Sequence, residues 1–355
     1  MSRARVHLPG LDALRGVAAL AVVALHGSYM FGTKGLVPHG YLAVDFFFML
    51  SGFVLAHAYE DRLRGGLRAR ALMLRRLHRL YPMVALGVVA GLCSAYVAGT
   101  HWRMFVSDAV AGALLLPQPL GTNALGTLFP IDPPLWSLFW EVVASAIFAA
   151  VLYRSPTRLL MAAQMAAFAA LVWCAMHYGT LEVGFEWRHF IGGAARIGFG
   201  FVTGLLLFRR WAGQPPTASV TMGALAAVLG LLLLMPVDMP TWLYDLLATS
   251  LAFPFLIRAA AEVTQIAGPW RTGATLSYPL YVLHAPVLKL LQSWQATHPG
   301  LGAGSAVLLG LVLSSAAAWL GHRLWDTPVR RWLHAHSRFE RRPTLPEHQP
   351  PPLAV

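Results

Sequence analysis

The sequence predicts an all-α membrane protein, a bundle of about ten transmembrane helices, on three observations. First, 57% of the 355 residues are hydrophobic and only 12% are charged, whereas roughly a quarter of an ordinary soluble domain is charged. Second, apolar segments of about twenty residues recur along the chain, and each is long enough to cross a hydrocarbon core. Third, basic residues alternate between two sets of loops, as they do in polytopic membrane proteins.

The predicted spans lie near residues 11–31, 40–58, 80–99, 134–153, 158–177, 190–208, 219–236, 242–260, 273–292 and 302–325. The outside loop between the third and fourth spans contains an apolar run, 110–116, that is too short to cross a bilayer. We therefore expect one re-entrant or interfacial segment there. One integral-membrane domain is predicted over residues 1–331, followed by a Pro-rich, polar cytoplasmic tail over 332–355 that we expect to be disordered.

The basic residues are distributed so that topology explains the net charge of +12. Of 27 Lys and Arg residues, 21 fall on one side of the predicted map and three on the other, and the rest lie within or at the edge of spans. Because basic loops stay in the cytoplasm, this bias predicts that both termini are cytoplasmic. The bilayer is thus the expected partner, and nucleic acid is not. Cys93 and Cys174 show no metal-ligand spacing, and we expect no metal.

The first span carries a cation and an imidazole on one face. Arg15 and His26 are eleven residues apart, close to three helical turns, so their side chains share a stripe about 16 Å long. Ionisable groups inside a membrane are costly and mark functional sites. The alternative is a snorkelling arginine at a helix end and a histidine bound to a neighbouring backbone carbonyl.

The second span places Asp45 in a run of aromatic residues, where a carboxylate needs a cation or a hydrogen-bond donor. A contact with His26 would fix the imidazole tautomer and raise its basicity, as general-base catalysis requires. A structural ion pair with an arginine or histidine of the first span is the alternative.

Three arginines stand at the cytoplasmic mouth of the third span. Arg75, Arg76 and Arg79 fall within five residues, and Arg75 and Arg79 share a helix face. Guanidinium groups match phosphate geometry, so the cluster favours a phosphorylated cosubstrate. Positive-inside topology alone is the alternative explanation.

The fourth and ninth spans add further polar residues. Ser137 and Glu141 are spaced i,i+4, which offers the carboxylate a local hydroxyl partner, and Trp136 suits an interfacial aromatic belt. In the ninth span a second polar stripe follows i, i+4, i+7 spacing. Its members are Ser277, Tyr281 and His284.

Together these segments resemble the membrane-bound acyltransferase family 3, whose members O-acylate sugars and some small secreted molecules. The resemblance covers about residues 8–331 and rests on five elements in order. They are the Arg-x10-His pair, VDFFFMLSGF, RRLHRLYP, WSLFWE and LSYPLYVLHAP. One departure is visible, because Asp326 precedes Thr327 and Pro328 where the family commonly has Glu before Pro. We assign no role to that position.

The resemblance implies an acyl-CoA cosubstrate, usually acetyl-CoA, and a hydroxyl acceptor on a carbohydrate such as lipopolysaccharide, exopolysaccharide or a related glycan. It implies a multi-pass protein of the bacterial inner membrane. A succinyl or longer acyl donor, or a macrolide-like acceptor, would keep the same chemistry. A secondary transporter would also carry intramembrane charges, but it should show repeated halves, which the sequence lacks. Nothing in the sequence predicts an oligomeric state.

The resemblance also implies roles for the singled-out residues. His26 is the expected general base, and Arg15 orients groups or binds an anion. Asp45 and Glu141 are expected to orient His26 or bind acceptor hydroxyls. We expect the CoA phosphates to bind to Arg75, Arg76 and Arg79. The expected substrate-binding residues are Trp136, Ser137, Ser277, Tyr281 and His284.

Overall fold

The computed structural model describes residues 7–33, 35–99, 102–118, 126–211 and 221–336. All regular structure there is helical apart from one isolated bridge between Thr127 and Glu186, which confirms the all-α prediction. The helices are α1 (Pro9–Met30), α2 (Ala43–Arg64), α3 (Ala69–Val97), α4 (Trp102–Leu114), α5 (Leu135–Ile147), α6 (Thr157–Tyr178), α7 (Phe190–Trp211), α8 (Met222–Leu234), α9 (Thr241–Leu247), α10 (Phe253–Ala260), α11 (Gly268–Thr297), α12 (Ala303–Gly321) and α13 (Thr327–His336).

Eight helical stretches within these ranges are long and apolar enough to cross a membrane. Two of them join two α-helices through a π-helical segment of 5 residues, as α9 joins α10 and α12 joins α13. The stretches are Pro9–Met30, Gly40–Arg64, Ala69–Val97, Leu135–Leu152, Thr157–Tyr178, Trp187–Trp211, Thr241–Ala260 and Ala303–His336. The protein is therefore a polytopic membrane bundle.

Two of the ten predicted spans differ from this set. The segment predicted at 219–236 forms α8, whose 13 residues extend only about 20 Å, less than the thickness of the hydrocarbon core. The segment predicted at 273–292 forms α11, which has 30 residues and ample length. Its polar residues, His284 and Lys289 among them, make it less apolar than the other spans.

The loop after α3 contains the predicted short element. Helix α4 has 13 residues, too few to cross a bilayer, and it packs on α3. At the other end of the chain, α13 continues to His336, five residues into the predicted tail. The remaining tail residues, 337–355, lie outside the described ranges.

Two close helix pairs form the centre of the bundle: α2 packs along α7, and α1 packs along α11. Glycines allow both approaches. A Cβ on Gly16 would lie 2.7 Å from the carbonyl carbon of Gly273, and one on Gly52 would lie 2.0 Å from the carbonyl oxygen of Phe201. Any side chain there would force the helices apart, which is why small residues favour tight packing in membranes.

The described arginines concentrate at one end of the bundle, which we call the arginine-rich end. Side chains from different helices meet there: Arg64 Nε donates to the carbonyl of Tyr153 at 3.2 Å, and Arg209 Nη1 donates to that of Ser155 at 2.8 Å. The opposite end carries the loops that include residues 31–39, 126–134 and 179–186.

Candidate active site

A pocket opens at the arginine-rich end between α1, α2, α3, α5 and α11. Its empty space, which includes the part open to solvent, is about 850 Å³, and its lining brings together residues from five separate parts of the sequence. Arg15, Arg76 and Arg79 are among the residues that line it, and Ser137 and Tyr281 line it as well. The pocket therefore combines a cationic part with a part that carries hydroxyl groups.

Arg15 links α1 to α11 at the pocket. Its Nε donates to Ser277 Oγ at 2.8 Å, and its Nη2 donates to the carbonyl of Ala274 at 3.3 Å. Nη2 also pairs with Asp12 Oδ1 at 2.9 Å, one turn earlier on α1. The side chain is thus held in one orientation by α11, at the level where Gly16 lets the two helices meet.

Glu141 also lines the pocket, but it is bound to neighbours other than His26. Arg76 Nη2 donates to Glu141 Oε1, and Ser51 Oγ donates to the same oxygen at 3.0 Å. Ser137, which we expected beside Glu141, instead contacts Tyr281. The carboxylate therefore fixes Arg76 in the wall of the pocket.

The three predicted phosphate-binding arginines occupy different positions. Arg79 lines the pocket, is exposed, and has no hydrogen-bond or ion-pair partner among the residues that the structure describes. Arg76 lines the pocket in its pair with Glu141. Arg75 does not line it, and its buried Nε is without a partner in the described ranges. A ligand that enters the pocket would therefore find the guanidinium of Arg79 without a competing partner.

Two hydroxyl groups converge in the pocket. Ser137 Oγ and Tyr281 Oη are 2.6 Å apart. Both also lie near the carbonyl oxygen of Pro134, at 3.1 Å from Ser137 and 3.3 Å from Tyr281. The ring of Tyr281 packs edge-on against Phe47, with centroids 5.6 Å apart.

Behind Tyr281 lies a pair of histidines. His284 follows Tyr281 by one helical turn, and its fully buried ring lies 5.9 Å from that of Tyr281. The rings of His284 and His26 are 4.9 Å apart, and Nε2 of His284 is 3.3 Å from Nδ1 of His26. Neither histidine lines the pocket, so the pair begins about one turn, roughly 5 Å, beyond the hydroxyl groups.

The hydrogen-bond partners assign the tautomers of both rings. Nδ1 of His26 is 2.9 Å from the carbonyl of Val22, and Nδ1 of His284 is 3.2 Å from that of Leu280. A carbonyl only accepts, so each Nδ1 carries a proton. Nε2 of His284 then accepts from Nδ1 of His26. Nε2 of His26 keeps its lone pair and has no hydrogen-bond partner in the described part of the chain.

Asp45 does not contact His26. Its carboxylate pairs with Arg196 of α7, with 3.0 Å from Nε to Oδ1 and 2.7 Å from Nη2 to Oδ2. The same guanidinium donates to the carbonyls of Tyr41 and Val183. The alternative of a structural ion pair thus describes Asp45 better than contact with His26 does, although the partner comes from α7 and not from the first span.

Trp136 lies beside this ion pair. It is buried, its ring lies 5.3 Å below the guanidinium carbon of Arg196, and it packs edge-on against Phe48. It is absent from the pocket lining. Trp136 therefore packs in the core of the bundle and does not form part of an exposed aromatic belt.

A further buried carboxyl group lies in the loop before α5. Asp132 is fully buried, and neither of its oxygens has a hydrogen-bond partner in the described ranges. Burial raises the pKa of Asp132 to about 8, and the positive charge of Lys289 opposes that rise. Lys289 Nζ donates to the carbonyls of Pro130 and Ile131, so it fixes the loop that carries Asp132. Sequence reasoning did not single out this residue.

Ser51 and Arg196 were also missed as functional partners. Ser51 belongs to the quoted VDFFFMLSGF element, and Arg196 is a charge inside a span. The signal for Arg196 was present, because two opposite charges in separate apolar segments are expected to pair. Within the described ranges, no group of three or more His, Cys, Asp or Glu side chains is placed to hold a metal ion.

A membrane bundle with a pocket lined by arginines, two converging hydroxyl groups and a nearby pair of histidines has the groups that acyl transfer uses. The protein is an integral-membrane acyltransferase. It belongs to acyltransferase family 3, because the family profile described as an acyltransferase domain matches residues 8–323.

Three relatives illustrate the similarity. Protein 2 in the picA locus of Rhizobium radiobacter is 39% identical over 39% of this chain and 79% of its own length. A putative O-acetyltransferase of Staphylococcus aureus is 32% identical over 29% of this chain and 16% of its own length. The peptidoglycan O-acetyltransferase of Listeria monocytogenes is 23% identical over 92% of this chain and 56% of its own length. The chain thus spans little more than half, or less, of these two O-acetyltransferases. No solved structure matches the chain.

Proposed function

We propose that the protein transfers an acetyl group from acetyl-CoA to a hydroxyl of a carbohydrate, with His26 as the general base. The observation that carries this proposal is the order of groups from the pocket inward. An unpaired guanidinium at Arg79 is followed by the hydroxyl pair of Ser137 and Tyr281, and then by the imidazole pair of His284 and His26. This order matches the phosphates, the thioester and the acceptor hydroxyl of the reactants.

The donor phosphates would meet the cationic part of the pocket. Arg79 is free to form charge-assisted hydrogen bonds with phosphate oxygens, and Arg15 has Nη1 without a partner in the described chain. Arg76 contributes positive charge that Glu141 largely balances. We therefore assign the strongest phosphate contact to Arg79.

The thioester carbonyl would lie against the hydroxyl pair. Ser137 and Tyr281 now share the carbonyl of Pro134 as acceptor, and either hydroxyl can rotate toward a developing oxyanion. Donors aimed at the oxyanion lower the barrier by about 3–4 kcal/mol each in well-studied acyl transfer. The ring of Tyr281 lies 5.9 Å from that of His284, so the proposed oxyanion site adjoins the histidine pair that includes the base.

The base would act through Nε2 of His26. The acceptor hydroxyl gives its proton to Nε2 while its oxygen attacks the thioester carbon. The tetrahedral intermediate then collapses with cleavage of the C–S bond, and His26 returns the proton to the departing thiolate. His284 and the Val22 carbonyl hold the proton on Nδ1, so Nε2 stays the basic nitrogen.

The acyl group and acceptor class are inferred from two further supports. The relatives named as O-acetyltransferases favour acetyl as the acyl group, and the Listeria relative is named for peptidoglycan, a glycan. We therefore propose a carbohydrate acceptor such as lipopolysaccharide, exopolysaccharide or a related glycan. We also propose that the protein lies in the bacterial inner membrane with the arginine-rich end and both termini in the cytoplasm, an orientation that the basic loops favour.

The experiment is transfer by purified protein in vesicles with labelled acetyl-CoA supplied at the arginine-rich end. Formation of labelled ester on an added glycan, with release of one free CoA per ester, supports the proposal. Labelled succinyl-CoA serves as the competing donor. If CoA were released from succinyl-CoA and not from acetyl-CoA, the transferred group would be succinyl and not acetyl. If ester formed in the absence of any CoA thioester, an acyl-CoA donor would be refuted.

A further inference from the structure

The imidazole of His26 is open to solvent although it lies outside the active-site pocket. The side chain is partly exposed, yet it does not line the pocket. Its Nε2 has no hydrogen-bond partner within the described ranges, and it is not enclosed by protein in the way that the unpartnered Nδ1 of His39 is enclosed. A second approach to the proposed base therefore exists.

The exposure of residues along α1 indicates the direction of this approach. Between the pocket and His26 the same face of α1 is closed, because Ala19 is fully buried and Val22 is 2% exposed. Beyond His26, Tyr29 is 40% exposed and Met30 is partly exposed. His26 and Tyr29 are three residues apart, so they share a helix face and lie about 4.5 Å apart along the axis. His26 is thus open toward the end of the bundle opposite the arginine-rich end.

A carboxylate stands beside Tyr29 at this opening. Tyr29 Oη donates to Glu182 Oε1 at 2.8 Å, a bond that joins α1 to the loop before α7. Glu182 is partly exposed, and its Oε2 is neither enclosed nor bound to any residue that the structure describes. A carboxylate accepts up to four hydrogen bonds, so this one has acceptor positions to spare. The pair offers a ligand an aromatic ring and a carboxylate side by side.

Both side chains are held in place from behind. Asp245 is fully buried and accepts from Thr180 Oγ1 at 3.1 Å. The same hydroxyl accepts from the backbone N–H of Glu182 at 3.0 Å, so the loop is anchored to the core of the bundle. Gln292 of α11 donates to the carbonyl of Met30 at 2.9 Å, which fixes the last turn of α1. Groups fixed before binding cost little to order when a ligand arrives.

A sugar ring has the groups that complement this pair. Its hydroxyls donate to carboxylate oxygens, and the C–H groups on one of its faces pack against an aromatic ring. A carboxylate at this place repels an acidic sugar such as a uronate, so an uncharged sugar suits it better. Tyr29 lies less than one helical turn beyond His26, so a sugar bound there is next to the proposed base.

We propose that Tyr29 and Glu182 form a subsite for an uncharged sugar ring of the acceptor, which holds one hydroxyl of the acceptor at Nε2 of His26. One face of the ring packs on Tyr29, and neighbouring hydroxyls donate to Glu182. This inference rests on the proposed function, since it takes the acceptor to be a carbohydrate. The rival role of the pair is a structural link that only ties the loop to α1.

The test is saturation-transfer NMR on the full-length protein in lipid nanodiscs. The probe is an equal mixture of maltotetraose, cellotetraose and chitotetraose, and tetragalacturonate is the acidic comparison. We expect saturation to pass from aromatic protons of the protein to C–H protons of a neutral sugar, and about fivefold less to tetragalacturonate. The absence of transfer to every neutral sugar would overturn the proposal. Equal transfer to tetragalacturonate would overturn the assignment to uncharged sugars.

Two variants of Tyr29 distinguish a sugar subsite from a structural link. Tyr29→Ala removes the ring, whereas Tyr29→Phe keeps the ring and removes only the hydrogen bond to Glu182. Saturation transfer to the neutral sugar should fall about fivefold in Tyr29→Ala and stay within about twofold in Tyr29→Phe. An equal loss in the two variants would show that the pair only ties the loop to α1.

Two carboxylates of the same loop provide a matched pair. Glu182→Gln removes the charge that strengthens hydrogen bonds from sugar hydroxyls, and Glu186→Gln changes a carboxylate that pairs with Arg188. In the vesicle assay, Glu182→Gln should raise the KM for the neutral acceptor about tenfold, with kcat and the KM for acetyl-CoA unchanged. Glu186→Gln should change none of the three. Equal acceptor KM values in the two variants would overturn the proposal.

Saturation transfer needs no turnover, so the two proposals fail in different ways. Loss of contact between the neutral sugars and Tyr29, with ester still formed in vesicles, would overturn this subsite and leave the proposed function intact. Contact without any ester from acetyl-CoA would overturn the proposed function, and with it the role of the bound sugar as an acceptor.

Discussion

Nε2 of His284 lies 3.3 Å from Nδ1 of His26, although the two residues are 258 positions apart in the chain. Nδ1 of His26 is also bound by the carbonyl of its own helix at Val22. Both partners accept, so they hold one tautomer and leave Nε2 of His26 with its lone pair. His284 is fully buried and absent from the pocket lining, so we propose that it positions His26 and does not contact the substrate.

Replacing His284 tests this positioning role. His284→Phe should lower kcat about fivefold, because the acceptor that helps hold Nδ1 of His26 is lost, at about 1 kcal/mol per hydrogen bond. The KM for acetyl-CoA should not change, because His284 does not line the pocket. His284→Gln, which supplies an acceptor, should recover part of kcat. Equal kcat in both variants, or a loss confined to KM, would contradict the role.

Two arginines of the cluster offer a matched pair of variants that tests which one binds the acyl-CoA donor. Arg79→Gln should raise the Kd for acetyl-CoA roughly tenfold to a hundredfold, since charge-assisted hydrogen bonds contribute about 1.5–3 kcal/mol. Arg75→Gln, one turn earlier and outside the pocket, should leave the Kd near that of the unmodified protein. Isothermal titration in detergent measures both. A similar Kd for the two variants would indicate that the cluster serves topology alone.

Much of the site was accessible from sequence because polar residues in apolar spans have few explanations. The helical stripe of Arg15 and His26 and the stripe of Ser277, Tyr281 and His284 were predicted separately. The structure packs the two stripes against each other through α1 and α11. Periodicity identifies such faces, because 3.6 residues per turn is a property of one helix.

The sequence did not reveal which cations pair with the carboxylates. Asp45 could pair with any cation at its depth, and the choice of Arg196 depends on α2 packing along α7. Glycines set that packing, and one sequence does not reveal which helix each glycine faces. The length of α8 was equally hidden, because apolar composition shows that a segment is buried or lipid-facing and does not show where its helix ends.

The Asp45–Arg196 pair predicts a stability effect without a catalytic one. Arg196→Ala leaves a buried carboxylate unpaired and should cost about 3–5 kcal/mol, seen as a lower melting temperature in detergent. Asp45→Asn combined with Arg196→Gln should recover part of that loss, because no buried charge remains. Transfer per mole of folded protein should stay near normal in the double variant. Loss of acetyl transfer in a well-folded double variant would show that Asp45 takes part in catalysis.

Asp132 predicts a pH dependence of stability. Burial raises its pKa from 3.8 to about 8, so the folded protein holds a proton that the unfolded chain releases. The contribution of Asp132 to the free energy of unfolding is therefore greatest below pH 4 and falls as pH rises toward 8. Asp132→Asn stays neutral, so its melting temperature should drop less between pH 5 and pH 8, a window of about three units. Asp238→Asn, at an exposed position, is the control and should follow the unmodified protein. Identical pH profiles for Asp132→Asn and the unmodified protein would contradict the buried, protonated state.

In the proposed mechanism, Nε2 of His26 removes the proton of the acceptor hydroxyl. The most direct measurement is single-turnover acetyl transfer by vesicle-reconstituted His26→Gln, compared with the unmodified protein at equal abundance and equal acetyl-CoA binding. Glutamine keeps polar contacts and approximate size but cannot act as a base at neutral pH. We expect a rate lower by about 10²–10⁴ with unchanged donor affinity. A rate within about threefold of the unmodified protein, well below the tenfold that 1.36 kcal/mol represents, would contradict it and make the imidazole structural.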